Sequence, residues 1–420
     1  MLNRKVTQNR NFDWILLVTI LGVCAIGVIV IFSSNYSKNN KDVDFLRQLL
    51  ILIPSFVGLL ITIFYNYNNL KKIIIPLYIT NLILLLYVLI AGHTALGSQR
   101  WINIGGMTFQ PSEVAKLVLI ITLAFILSKK PVQRFTDLWL VAAVTLPPIL
   151  LIFKQPDLGT SLVFVAIVLG MLMCANVSWI IIMALISPLI SMLFYSISIY
   201  VWIAYLLFFG ITIFILYKNQ QKVNISLRWH FVKGIGVFIV NILAGPASWL
   251  IWNLMKDYQR TRILIFLNPE SDPLGSGYHI IQSKIAVGSG GFFGKGLLHG
   301  TQTQLNFIPV QHTDFIFSVI GEEFGFIGGL VLLTLYLIII WRIINIAIKS
   351  NDSFGGLIAM GIGTMLLFHV FINLGMAIGI MPVVGIPLPF VSYGGTSLLT
   401  NFIAIGILES ISLYRPKAVV

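Results

Sequence analysis

Twelve apolar runs divide this 420-residue chain, near residues 14–33, 47–65, 73–92, 113–128, 137–153, 159–175, 178–196, 199–217, 233–255, 314–341, 354–380 and 396–413. A helix that crosses the hydrocarbon core of a bilayer needs about 20 apolar residues. Composition agrees with such spans: 58% of the residues are hydrophobic and 10% charged, against roughly 25% charged in soluble domains. Disorder, a disulfide scaffold and a cytosolic globule are excluded. The expected fold class is all-α, a polytopic transmembrane helix bundle of about 12 spans forming a single integral membrane domain over 1–420. The first run, Trp14 to Phe32, follows basic residues, exceeds a signal-peptide core and has no small-x-small cleavage site after it, so it reads as a span. Cys24 and Cys174 sit deep in apolar runs as packing residues.

An even number of spans puts both termini on one side, and the distribution of Lys and Arg says which. With the termini in the cytoplasm, 16 of these cations fall inside and ten outside, and five of the ten lie in one long loop, 256–313. The net charge of +13 would suggest nucleic acid in a soluble chain. Here it is topogenic, as in the basic stretch 218–233, and no nucleic-acid partner is expected. Polar chemistry collects outside in three places. Segment 93–112 sets Gly97, Gly105 and Gly106 around Arg100-Trp101. Loop 256–313 is 58 residues long, where packed helices usually need about 2–8. Gly379 to Thr396 is rich in Pro and Gly yet otherwise apolar, and reads as a re-entrant wall of a cavity.

Walker, His-Glu-x-x-His and Cys-x-x-Cys patterns are absent, so ATP hydrolysis and a structural zinc site have no sequence support. The glycines of 288–296 resemble a phosphate cradle by composition alone. Glu113 and Lys116, three apart at the start of the fourth span, share a helix face. They read either as an interfacial ion pair or as a functional pair facing a wet site. Pro111 suits the first turn of that helix. Asp272 lies between prolines and glycines with Arg260 and Arg262 upstream. It is either a turn residue or a functional carboxylate, with Glu270 as its rival. His312 and Asp314 enter the tenth span; helix capping by Thr313 or Asp314 competes with a binding role. His93, His230, His279, His299 and His369 form no usable pattern.

At these residues the sequence resembles the SEDS family (shape, elongation, division and sporulation proteins), and within it the RodA branch. The C-terminal signature carries most of the likeness: Asn373, Gly379-Ile380, Pro382, Gly385-Ile386 and Phe390-Val391-Ser392-Tyr393-Gly394-Gly395-Thr396-Ser397. Arg100-Trp101-Ile102, Gln110-Pro111-Ser112-Glu113 with Lys116, Gln155-Pro156-Asp157-Leu158-Gly159-Thr160 and His312-Thr313-Asp314-Phe315 look like further family motifs. Gly300-Thr301-Gln302-Thr303-Gln304-Leu305 is similar to the RodA branch. The family usually has ten spans, so 177–232 looks like an extra hairpin with a basic loop.

The resemblance implies a peptidoglycan glycosyltransferase in the bacterial cytoplasmic membrane. Such an enzyme polymerises lipid II into β-1,4-linked glycan at the outer face during cell-wall elongation. Its partners would be a class B penicillin-binding protein and the elongation machinery. The family's catalytic aspartate falls on Asp272. Arg100, Trp101, Glu113, Lys116, Asp157, Arg260, Arg262, His312, Asp314 and Ser392 are the expected substrate-binding residues. A divalent cation, Mg or Mn, could help hold the departing undecaprenyl pyrophosphate, with no visible ligand set and no organic cofactor. A lipid II flippase and a non-catalytic scaffold for the penicillin-binding protein are the alternatives.

Overall fold

The computed structural model describes residues 12–36, 43–95, 98–104, 107–220, 227–275, 277–308 and 311–414. Each apolar run forms a helix: α1 (Trp14–Asn35), α2 (Val43–Phe64), α3 (Leu70–Ala91), α4 (Pro111–Lys129), α5 (Leu138–Lys154), α6 (Leu158–Cys174), α7 (Trp179–Ile197), α8 (Ile199–Gln220) and α9 (Leu227–Leu254). After the long loop come α13 (Ile316–Lys349), α14 (Ser353–Ala377) and α15 (Gly395–Leu413). Among the described residues ten helices are long and apolar enough to cross a membrane; Leu158–Cys174 and Ile199–Ile215 are shorter apolar helices. The protein is a multi-pass helical membrane protein. One addition breaks the all-helical pattern. Between α3 and α4, β1 (His93–Ala95), β2 (Ser98–Ile104) and β3 (Met107–Phe109) form a small antiparallel meander, with His93 opposite Trp101 and Ile102 opposite Phe109. The three-residue strands β1 and β3 are too short to leave a periodic signal in sequence.

Two compact units result. Residues of 132–136 and 176–263 form the smaller, which contains the segment 177–232 that looks like an insert. In it α7 packs against α8 and α9, and buried Asn241 ties the three together. Its amide donates to Ser187 Oγ (2.9 Å) and its carbonyl oxygen accepts from Tyr205 (3.0 Å). Ser191 Oγ donates to Asn241 O (2.6 Å) and accepts from Trp202 Nε1 (2.9 Å). Without a hydrophobic drive between helices in lipid, such polar bonds and close packing hold spans together. The basic stretch 218–233 is partly helical, since α8 runs to Gln220 and α9 begins at Leu227.

Residues of 1–131, 137–175 and 264–420 form the larger unit. Fourteen of the 19 residues of α4, 14 of the 19 of α15 and 17 of the 25 of α14 are buried, so α4, α14 and α15 are its centre. Close approach is permitted by Gly361, where a Cβ would stand 2.7 Å from Ile120 Cγ2 and 2.9 Å from Met171 Sδ. One end of this bundle is marked by Asp13, which caps α1 by accepting from Leu16 N (3.1 Å). Arg342 near the end of α13 holds the same carboxylate (Nη2 to Oδ2, 2.6 Å), and the Asp13 N–H donates to Glu409 in α15 (3.0 Å). The opposite end, where α4, α6, α13 and α15 begin and α14 stops, carries the irregular structure.

The long loop 256–313 is largely ordered. It holds α10 (Asp257–Leu267), α11 (Tyr278–Ser289) and α12 (Thr301–Gln304). Ser283 of α11 meets Ser318 Oγ (2.6 Å) and donates to Ala377 O (2.6 Å), which seats the helix on the start of α13 and the end of α14. α13 itself is broken at Gly325 (φ 62°, ψ −158°), a conformation open to glycine alone. The loop before α12 fills the break. Lys295 N and Gly296 N donate to the Glu322 and Glu323 carbonyls (both 3.0 Å), while Phe326 N and Ile327 N donate to Gly291 O (3.0 Å) and Phe292 O (3.2 Å). The Glu322 carboxylate adds bonds from Lys295 Nζ (2.8 Å), Gln302 N (2.8 Å) and Thr303 N (2.9 Å).

Candidate active site

Residues 379–394 between α14 and α15 are non-helical, yet Val384, Ile386, Leu388, Phe390, Val391 and Ser392 are buried. Buried irregular backbone must find hydrogen bonds inside the protein, and specific side chains provide them. Asn373 Nδ2 donates to Ile386 O (2.8 Å) and Asp314 O (2.9 Å). Ser392 Oγ accepts from Leu388 N (2.8 Å) and donates to Thr313 O (2.6 Å). Tyr393 N donates to His312 O (2.9 Å), and Tyr336 OH to Pro389 O (2.5 Å). Gly27 of α1 lies against this wall; a Cβ there would be 2.7 Å from Val391 Cα. The His312–Asp314 motif and the C-terminal signature thus meet as one packed element. Ser392 acts as its tie, and Asp314 Oδ2 lies beside Gly385. The N-cap of α13 is Phe315, so neither Thr313 nor Asp314 occupies the cap position itself.

Asp157 caps α6 through Thr160 N (3.1 Å) and Thr160 Oγ1 (2.9 Å). It also accepts from Gln110 Nε2 (3.2 Å) and pairs with Arg100 Nη1 (3.6 Å). Arg100 reaches across from β2, donating from Nε to Gln155 O (3.2 Å) and from Nη2 to Pro156 O. The meander therefore serves to present Arg100 to the turn that opens α6, and the arginine side chain stays 20% exposed. Trp101, next along β2, is half-buried.

Pro111 occupies the first turn of α4 as expected, and one turn on stands a buried cluster. Lys116 Nζ donates to Glu113 Oε1 (2.8 Å) and Oε2 (2.9 Å) and meets His369 Nε2 of α14 (3.0 Å). Glu113, Lys116 and His369 are all 5% exposed or less. His369 Nδ1 lies 2.6 Å from Met365 O. A carbonyl only accepts, so the ring proton sits on Nδ1 and Nε2 accepts from the ammonium. His369 has no motif spacing; its signal is its position, an ionisable residue inside a span.

Asp272 stands apart in kind. It is exposed on the turn between α10 and α11, where Oδ1 accepts from Gly275 N (3.1 Å) and its carbonyl from Gly277 N (3.0 Å). Glu270 is exposed on the same turn. Because α11 is seated on α13 and α14, the turn belongs to the irregular end of the bundle. Just inside it, His279 stacks on Phe315 (ring centroids 6.1 Å apart), and burial lowers its pKa. Arg260 and Arg262 belong to the smaller unit. Arg260 caps α9, donating from Nε to Trp252 O (2.9 Å) and from Nη2 to Asn253 O (2.8 Å). Among the described residues no group of three or more His, Cys, Asp and Glu could hold a metal ion.

A family model described as cell cycle protein, FtsW/RodA/SpoVE, matches residues 12–231 and 204–417. The chain belongs to the FtsW/RodA/SpoVE family. The peptidoglycan glycosyltransferase RodA of Treponema pallidum is 35% identical to this FtsW/RodA/SpoVE chain over 426 residues, covering 96% of it and 98% of the relative. The peptidoglycan glycosyltransferase MrdB of Escherichia coli is 40% identical over 343 residues, 81% of this chain and 77% of the relative. Among solved structures, a chain of a peptidoglycan synthase complex that coordinates polymerization and crosslinking superposes with a TM-score of 0.70 at 30% identity, covering 96% of this chain and 97% of that one. The rod shape determining protein RodA of Thermus thermophilus gives 0.63 at 26%, over 97% and 98%. The matches run almost end to end, so the wall, the Arg100 turn and the buried α4–α14 cluster all lie within the family's own fold.

Proposed function

We propose that this chain is a peptidoglycan glycosyltransferase that polymerises lipid II into β-1,4-linked glycan. Both termini are cytoplasmic, which puts the wall, the meander and the Asp272 turn at the outer face. The observation that carries the reading is an exposed carboxylate on a stiffened turn at the end of the bundle where the protein also places Arg100 and the apolar wall.

The donor sugar is α-linked to undecaprenyl pyrophosphate and the product linkage is β, so a single inverting displacement suffices. The acceptor 4-hydroxyl oxygen bonds to the anomeric carbon, its proton passes to the Asp272 carboxylate, and the bond to the pyrophosphate oxygen breaks. A positioned base of this kind contributes roughly 10²–10⁴-fold; orientation and charge stabilisation supply the rest. Arg100 suits the developing negative charge through charge-assisted bonds, since it is partly exposed and its guanidinium offers five N–H donors. A class B penicillin-binding protein would crosslink the product.

The test is polymerisation of labelled lipid II by the purified protein, alone and with a class B penicillin-binding protein. Asp272→Ala should make no polymer and Glu270→Ala should work normally. Full activity of Asp272→Ala removes the mechanism. A flippase reading calls for unwound helices that line a pathway. The break in α13 is instead packed by the backbone of 291–296, which favours the polymerase.

A further inference from the structure

An ammonium group has three N–H donors and no acceptor. Lys116 directs two of them to the two oxygens of Glu113, one helical turn back on α4, and the third to His369 Nε2 on α14. Its side chain is 3% exposed, so water does not offer a substitute acceptor. His369 is in turn oriented by Met365 O at 2.6 Å, which fixes both the tautomer and the direction of the Nε2 lone pair. The chain Met365 O, His369, Lys116, Glu113 runs without a gap from α14 to the first turns of α4. That helix begins at Gln110, whose side chain reaches Asp157, the partner of Arg100.

We infer that His369 is a positioning residue: it holds the buried Lys116–Glu113 pair in register and, through α4, fixes the Gln110–Asp157–Arg100 side of the active site. Three features carry this. A Lys–Glu pair three apart on one helix needs no third residue to form, yet α14 delivers one within hydrogen-bond distance. A neutral imidazole adds an acceptor without adding charge, so the cluster keeps one ammonium against one carboxylate in a site where an unmatched charge would be costly. And the contact is a polar side-chain link between α4 and α14, which otherwise pack through Ile120 and Gly361. The same geometry assigns Lys116 a supporting role, because every N–H it owns is already engaged; direct contact with the departing pyrophosphate falls to Arg100. The inference rests on the polymerase reading for its activity measurement and stands apart from it for its stability measurement.

The full-length protein is assayed on labelled lipid II as wild type, His369→Leu and His369→Gln. His369→Leu removes the acceptor and should lower kcat roughly 10- to 100-fold, the scale of a misplaced catalytic group, with KM changed by less than about twofold. His369→Gln offers an amide oxygen at similar reach and should recover most of the loss, which a merely space-filling role would not predict. Wild-type kcat in His369→Leu, or equal loss in His369→Gln, overturns the inference. Thermal unfolding of Lys116→Met, His369→Leu and the double variant reads the contact independently of activity. The double variant should melt no lower than Lys116→Met alone; additive losses overturn the inference. If the wild type makes no polymer, the polymerase reading fails while this cycle still decides the contact.

Discussion

Two irregular stretches share one end of the larger unit and are built on opposite principles. The wall at 379–394 is buried, and polar groups from α13, α14 and the 312–314 segment hold its backbone. The turn at 268–277 is mostly exposed, and local bonds run within it from Gly275 N and Gly277 N back to Asp272. Proline and glycine are abundant in both, so composition does not tell them apart. What differs is whether the rest of the fold answers their backbone groups. A wall that is held from several sides makes a fixed surface; a turn that holds itself presents a side chain outward. Substitutions in the first should therefore cost stability, and in the second activity.

The largest effect expected is at Asn373. Its amide serves two carbonyls at once, that of Ile386 in a buried bond and that of Asp314 in a partly buried one. Asn373→Leu fills the space and leaves both without a donor. At about 1–3 kcal/mol for an unsatisfied buried group, the Ile386 carbonyl alone should cost roughly that much and the Asp314 carbonyl adds to it, seen as a lower melting temperature in detergent and loss of activity with the fold. A variant that melts like the wild type would show that the wall is not held from α14.

The turn should respond the other way. A Cβ on Gly275 would come within 2.6 Å of Asp272 Oδ1 and 2.7 Å of its Cγ. The flexible carboxylate gives way more easily than the backbone, so Gly275→Ala should push Asp272 aside with little change in melting. Displacing a catalytic group by about 1 Å can cost on the order of 10²-fold, and polymer formation should fall by that order. Normal polymerisation in Gly275→Ala would mean that the position of Asp272 does not limit the reaction, and the contrast between wall and turn would lose its functional half.

These contrasts were unevenly legible in sequence. The spans are plain because lipid leaves helices as the remaining way to satisfy a backbone, and Gly379 to Thr396 stands out because Pro and Gly interrupt an apolar run. Ser392 and Asn373 sit in a recognisable signature, yet sequence does not say that their polar atoms serve the wall's own backbone. The meander was hidden because two of its strands, β1 and β3, have three residues each and so no period to detect. His369 was hidden because it lies 253 residues from Lys116. A depth count could have paired them. At about 1.5 Å per residue, Lys116 lies some 8 Å below the start of α4 and His369 some 12 Å below the end of α14. Two ionisable residues at similar depth on antiparallel spans are natural partners. The break at Gly325 had no such handle, since α13 holds other glycines that stay helical.

The smallest effect sharpens the comparison at its seam, where the exposed turn passes into packed structure. His279 follows the Asp272 turn in the first turn of α11, stacked on Phe315 with its Nδ1 buried and without a hydrogen-bond partner among the described residues. Burial disfavours the charged ring, so its pKa in the fold lies below the ordinary value of 6.5. The unfolded chain therefore binds the proton more readily than the folded one. The stabilising contribution is complete above 6.5 and is lost as pH falls through the lower value of the folded state. Melting temperature should decline on acidification through that window, and His279→Phe, which keeps the stack on Phe315 and removes the titration, should flatten part of the decline. A wild-type and a His279→Phe curve that run parallel below 6.5 would show that α11 is not the element that loosens. The exposed turn would then be anchored through Ser283, which binds Ser318 and Ala377.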